Sequence, residues 1–263
     1  MLNILAVGDV FGEPGCKFVQ KHLRAIKNRE KADLVIVNAE NAAAGSGLDR
    51  EEAQLLFDSG ADVLTGGNHS FRRYAAFELM EENGCILRPL NFPAGAPGNG
   101  SCIVTVKNGI RVLVISVCGQ VMMDPVDSPF YAVDRLLEAE KGRYDVAVCD
   151  LHAEATSEKQ VFAAYFDGRI KVIFGTHTHV QTADERLTDR GGAFITDVGM
   201  CGGENSVIGL TYGSVYERYI TNIRRKGIAD AENVALCGAV FTLDDNAGYV
   251  TGVKRIKYTE RDF

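Results

Sequence analysis

The sequence predicts a mixed α/β fold, and three patterns support this class. Nearly continuous apolar runs, such as residues 2–7 and 34–37, are typical of strands that are buried on both faces of a parallel sheet. Helical segments follow these runs, as expected for βαβ units. The dipeptide Asn108-Gly109, between two alternating apolar runs, instead indicates a hairpin with a type I′ turn. The predicted sheet structure is therefore partly parallel and partly antiparallel.

In the first third of the chain, strands and helices alternate regularly. Pro14 indicates the first turn of a helix that runs to about residue 28. Glu51 and Glu52 lie in the first turn of a second helix, where negative charge is favourable against the macrodipole, and Gly60 ends that helix. The other elements expected here are strands at 2–7, 34–37 and 63–65 and a helix at 74–82.

The rest of the chain adds one hairpin in the middle and another at the end. Arg88-Pro89 is expected to end a short strand, and residues 91–100 are a loop rich in proline and glycine. Ser157 is the expected cap of a helix that Gly168 ends. Further strands are expected at 101–106, 111–117, 146–149, 170–174 and 193–196, helices at about 131–141 and 215–225, and a closing hairpin at 235–243 and 249–258.

Size and composition restrict the classes of protein that fit. A length of 263 residues fits one domain, residues 1–263, with small cap elements expected near 91–100 and 200–231. An excess of 35 acidic over 28 basic residues opposes extended nucleic-acid binding. Seven cysteines without a CxxC pair indicate reduced thiols. Because signal-peptide features and membrane-length apolar runs are missing, we expect a cytoplasmic protein that does not bind membranes.

Polar side chains follow five of the predicted strands at their carboxyl ends. In parallel α/β sheets ligands collect at this edge, so these side chains are expected to meet there. Imidazole suits zinc, iron and manganese, and a carboxylate can bridge two cations about 3.5 to 4 Å apart. Taken singly, each residue has an ordinary structural explanation, such as a loop cap or an Asx turn. Taken together they predict a metal site: Asp9, Glu40, Asn41, Asn68, His69, His152, His177 and His179.

The order of these groups resembles the calcineurin-like metallophosphoesterase superfamily. The segments that carry the resemblance are Gly8-Asp9, Glu40-Asn41, Gly67-Asn68-His69, His152 and Gly175-Thr176-His177-Thr178-His179. Residues 8–12, 38–41, 88–91, 196–200 and 206–209 are more specifically similar to the YmdB-type branch of bacterial metallophosphoesterases. The resemblance implies a four-layer α/β/β/α sandwich with mixed sheets. It also implies phosphodiesterase activity on 2′,3′-cyclic nucleotides, with 3′,5′-cyclic nucleotides left open. Our hypothesis for the mechanism is that a hydroxide shared by two cations attacks phosphorus.

The resemblance also implies a division of the site residues between two transition-metal ions, with iron favoured over manganese or zinc. Asp9, Glu40, Asn41 and His179 would hold one ion, and Glu40, Asn68, His152 and His177 the other, with Glu40 bridging. Two residues depart from the general superfamily pattern. Phe11 occupies a position where many members have a histidine ligand, and Glu40 occupies the position of the usual bridging aspartate. Asn68 and His69 would contact the substrate. His69 would act as general acid, the alternative being that it orients Asn68.

Several alternatives stay open at this stage. The same centre would also serve a phosphomonoesterase or a broad phosphoesterase. A non-catalytic regulatory protein that binds metal or nucleotide is a third interpretation. The expected partner is a small cyclic nucleotide or another phosphodiester, and the sequence leaves open whether the chain forms a homo-oligomer. We expect Cys118, Cys149 and Cys201 to be buried spectators because no two of them are spaced to share a metal.

Overall fold

The computed structural model describes residues 1–223, 225–244 and 246–263. Arg224, in the helix expected near 215–225, and Asp245, in the turn of the closing hairpin, lie outside the described residues. The strands are β1 (Leu2–Val7), β2 (Asp9–Val10), β3 (Leu34–Asn38), β4 (Val63–Thr65), β5 (Ser101–Thr105), β6 (Arg111–Cys118), β7 (Val146–His152), β8 (Val172–Thr176), β9 (Arg186–Leu187), β10 (Ala193–Ile195), β11 (Met200–Gly203), β12 (Val234–Leu243) and β13 (Val250–Thr259). The helices are α1 (Gly12–Arg29), α2 (Arg50–Asp58), α3 (Ala75–Glu82), α4 (Pro129–Ala139), α5 (Thr156–Phe166) and α6 (Tyr212–Thr221).

The strands form two mixed sheets. The first sheet has the order β2-β11-β12-β1-β3-β4, and β13 pairs with the other edge of β12. Its β1, β3 and β4 are parallel, whereas β12 runs antiparallel to β1, β11 and β13. The second sheet has the order β5-β6-β7-β8-β10-β9, with four parallel central strands and an antiparallel strand at each edge. The mixed-sheet prediction is confirmed.

Three apolar clusters separate four layers. One lies between the first sheet and α1 to α3 and includes Leu5, Leu23 and Leu56. The second lies between the two sheets, where Phe174 and Phe241 have ring centroids 6.4 Å apart. The third lies between the second sheet and helices α4 and α5. This α/β/β/α arrangement confirms the expected four-layer sandwich, and it places the carboxyl ends of parallel strands from both sheets near one another.

Both predicted hairpins are present. Strands β5 and β6 pair in antiparallel register, and the turn between them has φ of 59° at Asn108 and 75° at Gly109. A type I′ turn needs positive φ at both of these positions, which asparagine and glycine tolerate. Strands β12 and β13 pair from Ala235 to Leu243, which confirms the closing hairpin.

Several local predictions were wrong. The segment before Arg88 makes only single bridges, Leu64 to Ile86 and Leu87 to Asn99, and is not a strand. Ser157 does not cap α5, which begins one residue earlier without a side-chain cap. Strand β7 continues through His152 because β6 and β8 pair with it along its whole length. No helix in the described ranges is long and apolar enough to cross a membrane.

Candidate metal centre

The predicted site residues converge on one cleft between the carboxyl ends of the two sheets. Asp9 lies in β2, a two-residue strand that the sequence did not predict, and Glu40 and Asn41 follow β3. Asn68 and His69 follow β4. The second sheet contributes His152, at the end of β7, and His177 and His179, which follow β8.

The first group of donors is centred on His152. Its Nε2 lies 3.0 Å from Glu40 Oε1, 3.0 Å from His177 Nδ1 and 3.2 Å from Asn68 Oδ1. One ligand atom from each of Glu40, His152 and His177 lies within 4.8 Å of the others. A carboxylate, two imidazoles and an amide oxygen directed at one point fit a transition-metal ion.

A second group lies on the other side of Glu40. His179 Nε2 is 3.6 Å from Asp9 Oδ1 and 3.1 Å from Asn41 Nδ2. The Asn41 amide also lies 3.3 Å from Glu40 Oε1, so this carboxylate oxygen is within reach of both groups. The two groups contain the residues that the resemblance assigned to two ions.

Hydrogen bonds behind the rings decide which nitrogen of two histidines faces the cleft. The Thr176 hydroxyl donates to Asp150 Oδ1 at 2.7 Å, so it accepts from His152 Nδ1 at 2.9 Å. The backbone carbonyl of Ile208 can only accept, so His179 Nδ1 donates to it at 2.8 Å. Nε2 of both rings is therefore left to bind a cation in the cleft.

The two histidines that follow β8 have strained backbone conformations. His177 has φ of 95° and His179 has φ of 65°, in the left-handed region that non-glycine residues rarely adopt. Asp9 Oδ2 accepts a hydrogen bond from the His177 amide at 3.1 Å. Asp197 Oδ2 accepts from the amide and the hydroxyl of Thr178, at 3.2 and 2.8 Å. These contacts hold a conformation that the chain would otherwise leave.

A buried lysine supports the same turn. Lys159 is fully buried, and its Nζ donates at 2.8 Å both to Asp197 Oδ2 and to the Thr176 carbonyl. No sequence pattern indicated this role, because Lys159 lies in an ordinary helical segment and Asp197 is 38 residues away. Asp150 was also not predicted as part of the site. It is fully buried and accepts hydrogen bonds from Asn38, Thr65 and Thr176.

Burial and opposite charge shape the titration of the cleft. Burial raises the pKa of Asp9 to about 6, although His179 and His152 act in the opposite direction. Burial would lower the pKa of His152, but the adjacent Glu40 carboxylate outweighs it and raises the pKa to about 9. The proton therefore lies on His152, in an ion pair with the Glu40 carboxylate, and a cation bound between them would take the place of that proton.

His69 differs from the expected arrangement. Its Nδ1 donates to Asn41 Oδ1 at 2.8 Å and lies 3.5 Å from Glu40 Oε1, so the amide it orients is that of Asn41 rather than Asn68. The His69 side chain is 30% exposed, and it faces a cavity of about 550 Å³ above the two donor groups. Ile208 and Leu210 also line this cavity. Such a cavity accommodates a small-molecule ligand.

Phe11 and the cysteines do not belong to the donor groups. The Phe11 ring packs edge-on against His179, with centroids 5.5 Å apart, so it buttresses a candidate ligand. Cys118, Cys149 and Cys201 are buried free thiols, and burial raises the pKa of each well above its usual range. That environment favours the neutral thiol rather than a thiolate ligand.

Comparisons with known proteins agree with the fold and identify the family. Residues 5–256 match the family model described as YmdB-like protein. The chain is 38% identical over 255 residues to the 2′,3′-cyclic-nucleotide 2′-phosphodiesterase of Bacillus subtilis (strain 168), covering 97% of this chain and 96% of the relative. A phosphatase from Mycoplasma pneumoniae has a solved structure with a TM-score of 0.91 and 32% identity, covering 98% of this chain and 93% of that one. A solved structure of a hypothetical protein from Thermus thermophilus has a TM-score of 0.93 and 39% identity, covering 98% of this chain and 100% of that one.

Proposed function

Because the chain belongs to the YmdB-like family, we propose that it is a two-metal phosphodiesterase that hydrolyses 2′,3′-cyclic nucleotides. The observation that carries the proposal is the position of Glu40, whose Oε1 lies 3.0 Å from His152 Nε2 and 3.3 Å from Asn41 Nδ2. One carboxylate thus joins two donor groups, which is the arrangement that a pair of cations needs. The substrate class comes from the name of the Bacillus subtilis relative.

The donor groups support a specific division of ligands. Asp9, Glu40, Asn41 and His179 would hold one ion, with Asn41 binding through its Oδ1 rather than through the Nδ2 that faces Glu40 and His179 here. Glu40, Asn68, His152 and His177 would hold the other. When bound, the two ions supply Lewis-acid stabilisation of a phosphoryl group and lower the pKa of water. Iron, manganese and zinc all suit these ligands.

The chain itself contributes orientation and a proton. His69 follows Asn68 in the chain and lines the cavity, and its Nδ1 donates a hydrogen bond to Asn41 Oδ1. Because Nδ1 already donates, Nε2 carries a proton only in the imidazolium form of His69, and that form is the one that can pass a proton to a leaving oxygen. General-acid catalysis of this kind contributes about 10² to 10⁴ in rate. Asn68 and the His69 ring together orient the phosphodiester at the first donor group.

The first experiment measures metal content and substrate range on one preparation. We expect about two transition-metal equivalents per chain, loss of hydrolysis on chelation and its recovery when Mn²⁺ is returned. The panel contains 2′,3′- and 3′,5′-cyclic nucleotides, nucleoside monophosphates and bis-nitrophenyl phosphate. A fully active metal-free sample contradicts the proposal. Preferred turnover of monoesters would support a phosphomonoesterase, and tight binding without turnover would support a regulatory protein.

A second experiment tests the bridging position of Glu40. Glu40→Gln should lower the occupancy of both metal sites, whereas His152→Ala should empty mainly one, because Glu40 reaches both donor groups and His152 belongs to the first. Metal analysis of the two purified variants beside the wild type measures the difference. Full and equal occupancy in both variants would rule out the bridging role.

A further inference from the structure

Glu154 lies directly behind a candidate metal ligand and has no assigned role. It follows the end of β7, two residues after His152, and it lines the cavity above the site. Its Oε2 is 3.1 Å from His177 Nε2, the ring nitrogen that points away from the first donor group. We propose that Glu154 is a positioning residue that fixes the tautomer and the ring orientation of His177. This inference rests on the proposed metal centre and deepens it.

The chemistry of this contact determines which nitrogen of His177 carries a proton. An ionised carboxylate has no proton to give, so a hydrogen bond between these two atoms requires His177 Nε2 to carry the proton. In the neutral ring, Nδ1 then has a free lone pair. That Nδ1 lies 3.0 Å from His152 Nε2, in the group that also includes Glu40. Glu154 therefore presents a ligating nitrogen to the place where a cation would bind.

His177 needs such support more than the other two histidines do. His152 is completely buried inside the strand arrangement, and the side chain of His179 is only 7% exposed, whereas the side chain of His177 is 22% exposed. His177 also lies on strained backbone, with φ of 95°. Among the described residues, the outer nitrogen of His177 has Glu154 as its hydrogen-bonding partner, so the ring orientation depends on this contact.

A competing role for Glu154 is direct coordination of the metal. The geometry opposes it, because Glu154 contacts the ring nitrogen opposite to the one that faces Glu40 and His152. The carboxylate side chain is also 44% exposed and lines the open cavity. A carboxylate that holds the far nitrogen of a ligating histidine orients that ligand and raises its basicity, and its loss typically costs about 10- to 100-fold in metal affinity.

The test compares Glu154→Ala and Glu154→Gln with the wild type, using Mn²⁺ alone as the probe. Electron paramagnetic resonance of free Mn²⁺ gives the affinity of each site in protein stripped of metal. Two-bond ¹H–¹⁵N correlations of the histidine rings give the tautomer of His177 in the same samples, with His177→Gln used for assignment. Glu204→Ala is the matched control, because Glu204 has a similar side-chain exposure of 37% and pairs with Lys257 instead.

The positioning role predicts a specific pattern. Glu154→Ala should weaken one of the two Mn²⁺ sites by about 10- to 100-fold and should lose the uniform Nε2–H tautomer of His177. Glu154→Gln keeps an oxygen that can accept the same proton, so it should retain the tautomer and bind Mn²⁺ far better than the alanine variant. Glu204→Ala should behave as the wild type.

The opposite outcomes are equally clear. An unchanged His177 tautomer in Glu154→Ala would overturn the positioning role, and equal losses of affinity in both Glu154 variants would instead identify Glu154 as a ligand. Wild-type protein that binds no Mn²⁺ would refute the proposed metal centre, while the tautomer measurement in metal-free protein would still decide whether Glu154 fixes the ring.

Discussion

At the scale of single residues, the three histidines of the centre are held by acceptors of three different kinds. A hydroxyl lies behind His152, a carboxylate behind His177 and a backbone carbonyl behind His179. Of these three contacts, only the one between His152 and the Thr176 hydroxyl is completely buried. Water therefore competes less for this contact than for the other two. We therefore expect the His152 side of the centre to be the most rigid part of the site, with the other two rings more dependent on the loops around them.

The role of His69 can be tested with two leaving groups. A nucleoside hydroxyl leaves poorly without a proton, whereas nitrophenolate leaves readily. If His69 is the general acid, His69→Ala should lose about 10² to 10⁴ in kcat on a 2′,3′-cyclic nucleotide and much less on bis-nitrophenyl phosphate. Both values of kcat are measured with metal content determined on the same samples.

A different pattern would assign His69 a supporting role. Because His69 Nδ1 holds Asn41 Oδ1, a ring that only orients this amide would change metal content when it is removed. Both substrates would then lose activity to the same extent. Equal losses with altered occupancy would therefore remove the acid role and assign His69 to support of the second donor group.

The candidate ligands could be predicted from sequence, whereas the residues that support them could not. Each candidate ligand lies at the end of an apolar run, and parallel strands bring such ends together whatever the details of packing. Lys159 carried no such signal, because its helix has the pattern of an ordinary surface segment and its partner is distant in the chain. Glu154 and Ile208 were also missed, since one lies in a loop and the other acts through its backbone.

At the scale of elements, the turn after β8 depends on contacts from a helix and from another loop. Lys159 from α5 and Asp197 from the loop after β10 form a buried ion pair beneath Thr176 and Thr178. Removing one member of such a pair leaves an uncompensated charge in the interior. The turn that carries His177 and His179 should therefore be sensitive to a change that touches neither ring.

We predict that Lys159→Met destabilises the metal-free protein by about 3 to 5 kcal/mol, because Asp197 remains buried without its cation. The variant should also bind Mn²⁺ more weakly, because the turn that presents His177 and His179 is released. Urea unfolding measures the first effect, and titration with Mn²⁺ the second.

A surface lysine provides the control for this prediction. Lys141→Met removes an exposed lysine whose ion pair with Glu138 spans 3.7 Å between side chains that are 76% and 77% exposed. Its effect on the free energy of unfolding should stay within about 0.5 kcal/mol. Wild-type stability and Mn²⁺ affinity in Lys159→Met would show that the ion pair does not support the turn.

The elements differed in how well local sequence predicts them. The prediction of a hairpin at Asn108-Gly109 was correct. The turn needs positive φ at both positions, and this requirement is met by two adjacent residues that tolerate it. The predicted end of β7 was wrong because pairing with β6 and β8 extends the strand to His152. Such pairing involves residues distant in the chain, so a short stretch of sequence does not reveal it. For the same reason β2, which exists only by pairing with β11, was not predicted.

At the scale of the whole molecule, the proposed metal centre would join two sheets that otherwise meet through an apolar core. Asp9, Glu40 and Asn41 come from the first sheet, whereas the three candidate ligand histidines come from the second. Each proposed ion would take ligands from both sheets. Metal binding should therefore stabilise the entire sandwich against unfolding rather than one loop, because the ligands separate when the sheets do.

The last prediction is that Mn²⁺ raises the unfolding temperature of the whole chain. At a free concentration 100 times the dissociation constant, one bound ion contributes about 2.7 kcal/mol. In a chain of this size, each kcal/mol raises the unfolding temperature by about 2 to 4 °C, so the shift should be about 5 to 10 °C for each ion. Calorimetry at graded Mn²⁺ concentrations measures it, with Ca²⁺ as a cation that suits these nitrogen ligands poorly.

Two variants, one from each sheet, test whether Mn²⁺ raises the unfolding temperature by linking the two sheets or by a general effect of the salt. Asp9→Asn and His179→Ala should each lose a similar part of the Mn²⁺-dependent shift, because both remove a ligand from the same proposed ion. Asp9→Asn should not weaken the metal-free protein at pH 7.5. Burial raises the pKa of Asp9 from 3.8 to about 6, so its contribution to stability is present below pH 3.8 and is lost as the pH rises through 6. A Mn²⁺ shift that is unchanged in both variants would mean that the ions do not join the two sheets at this site.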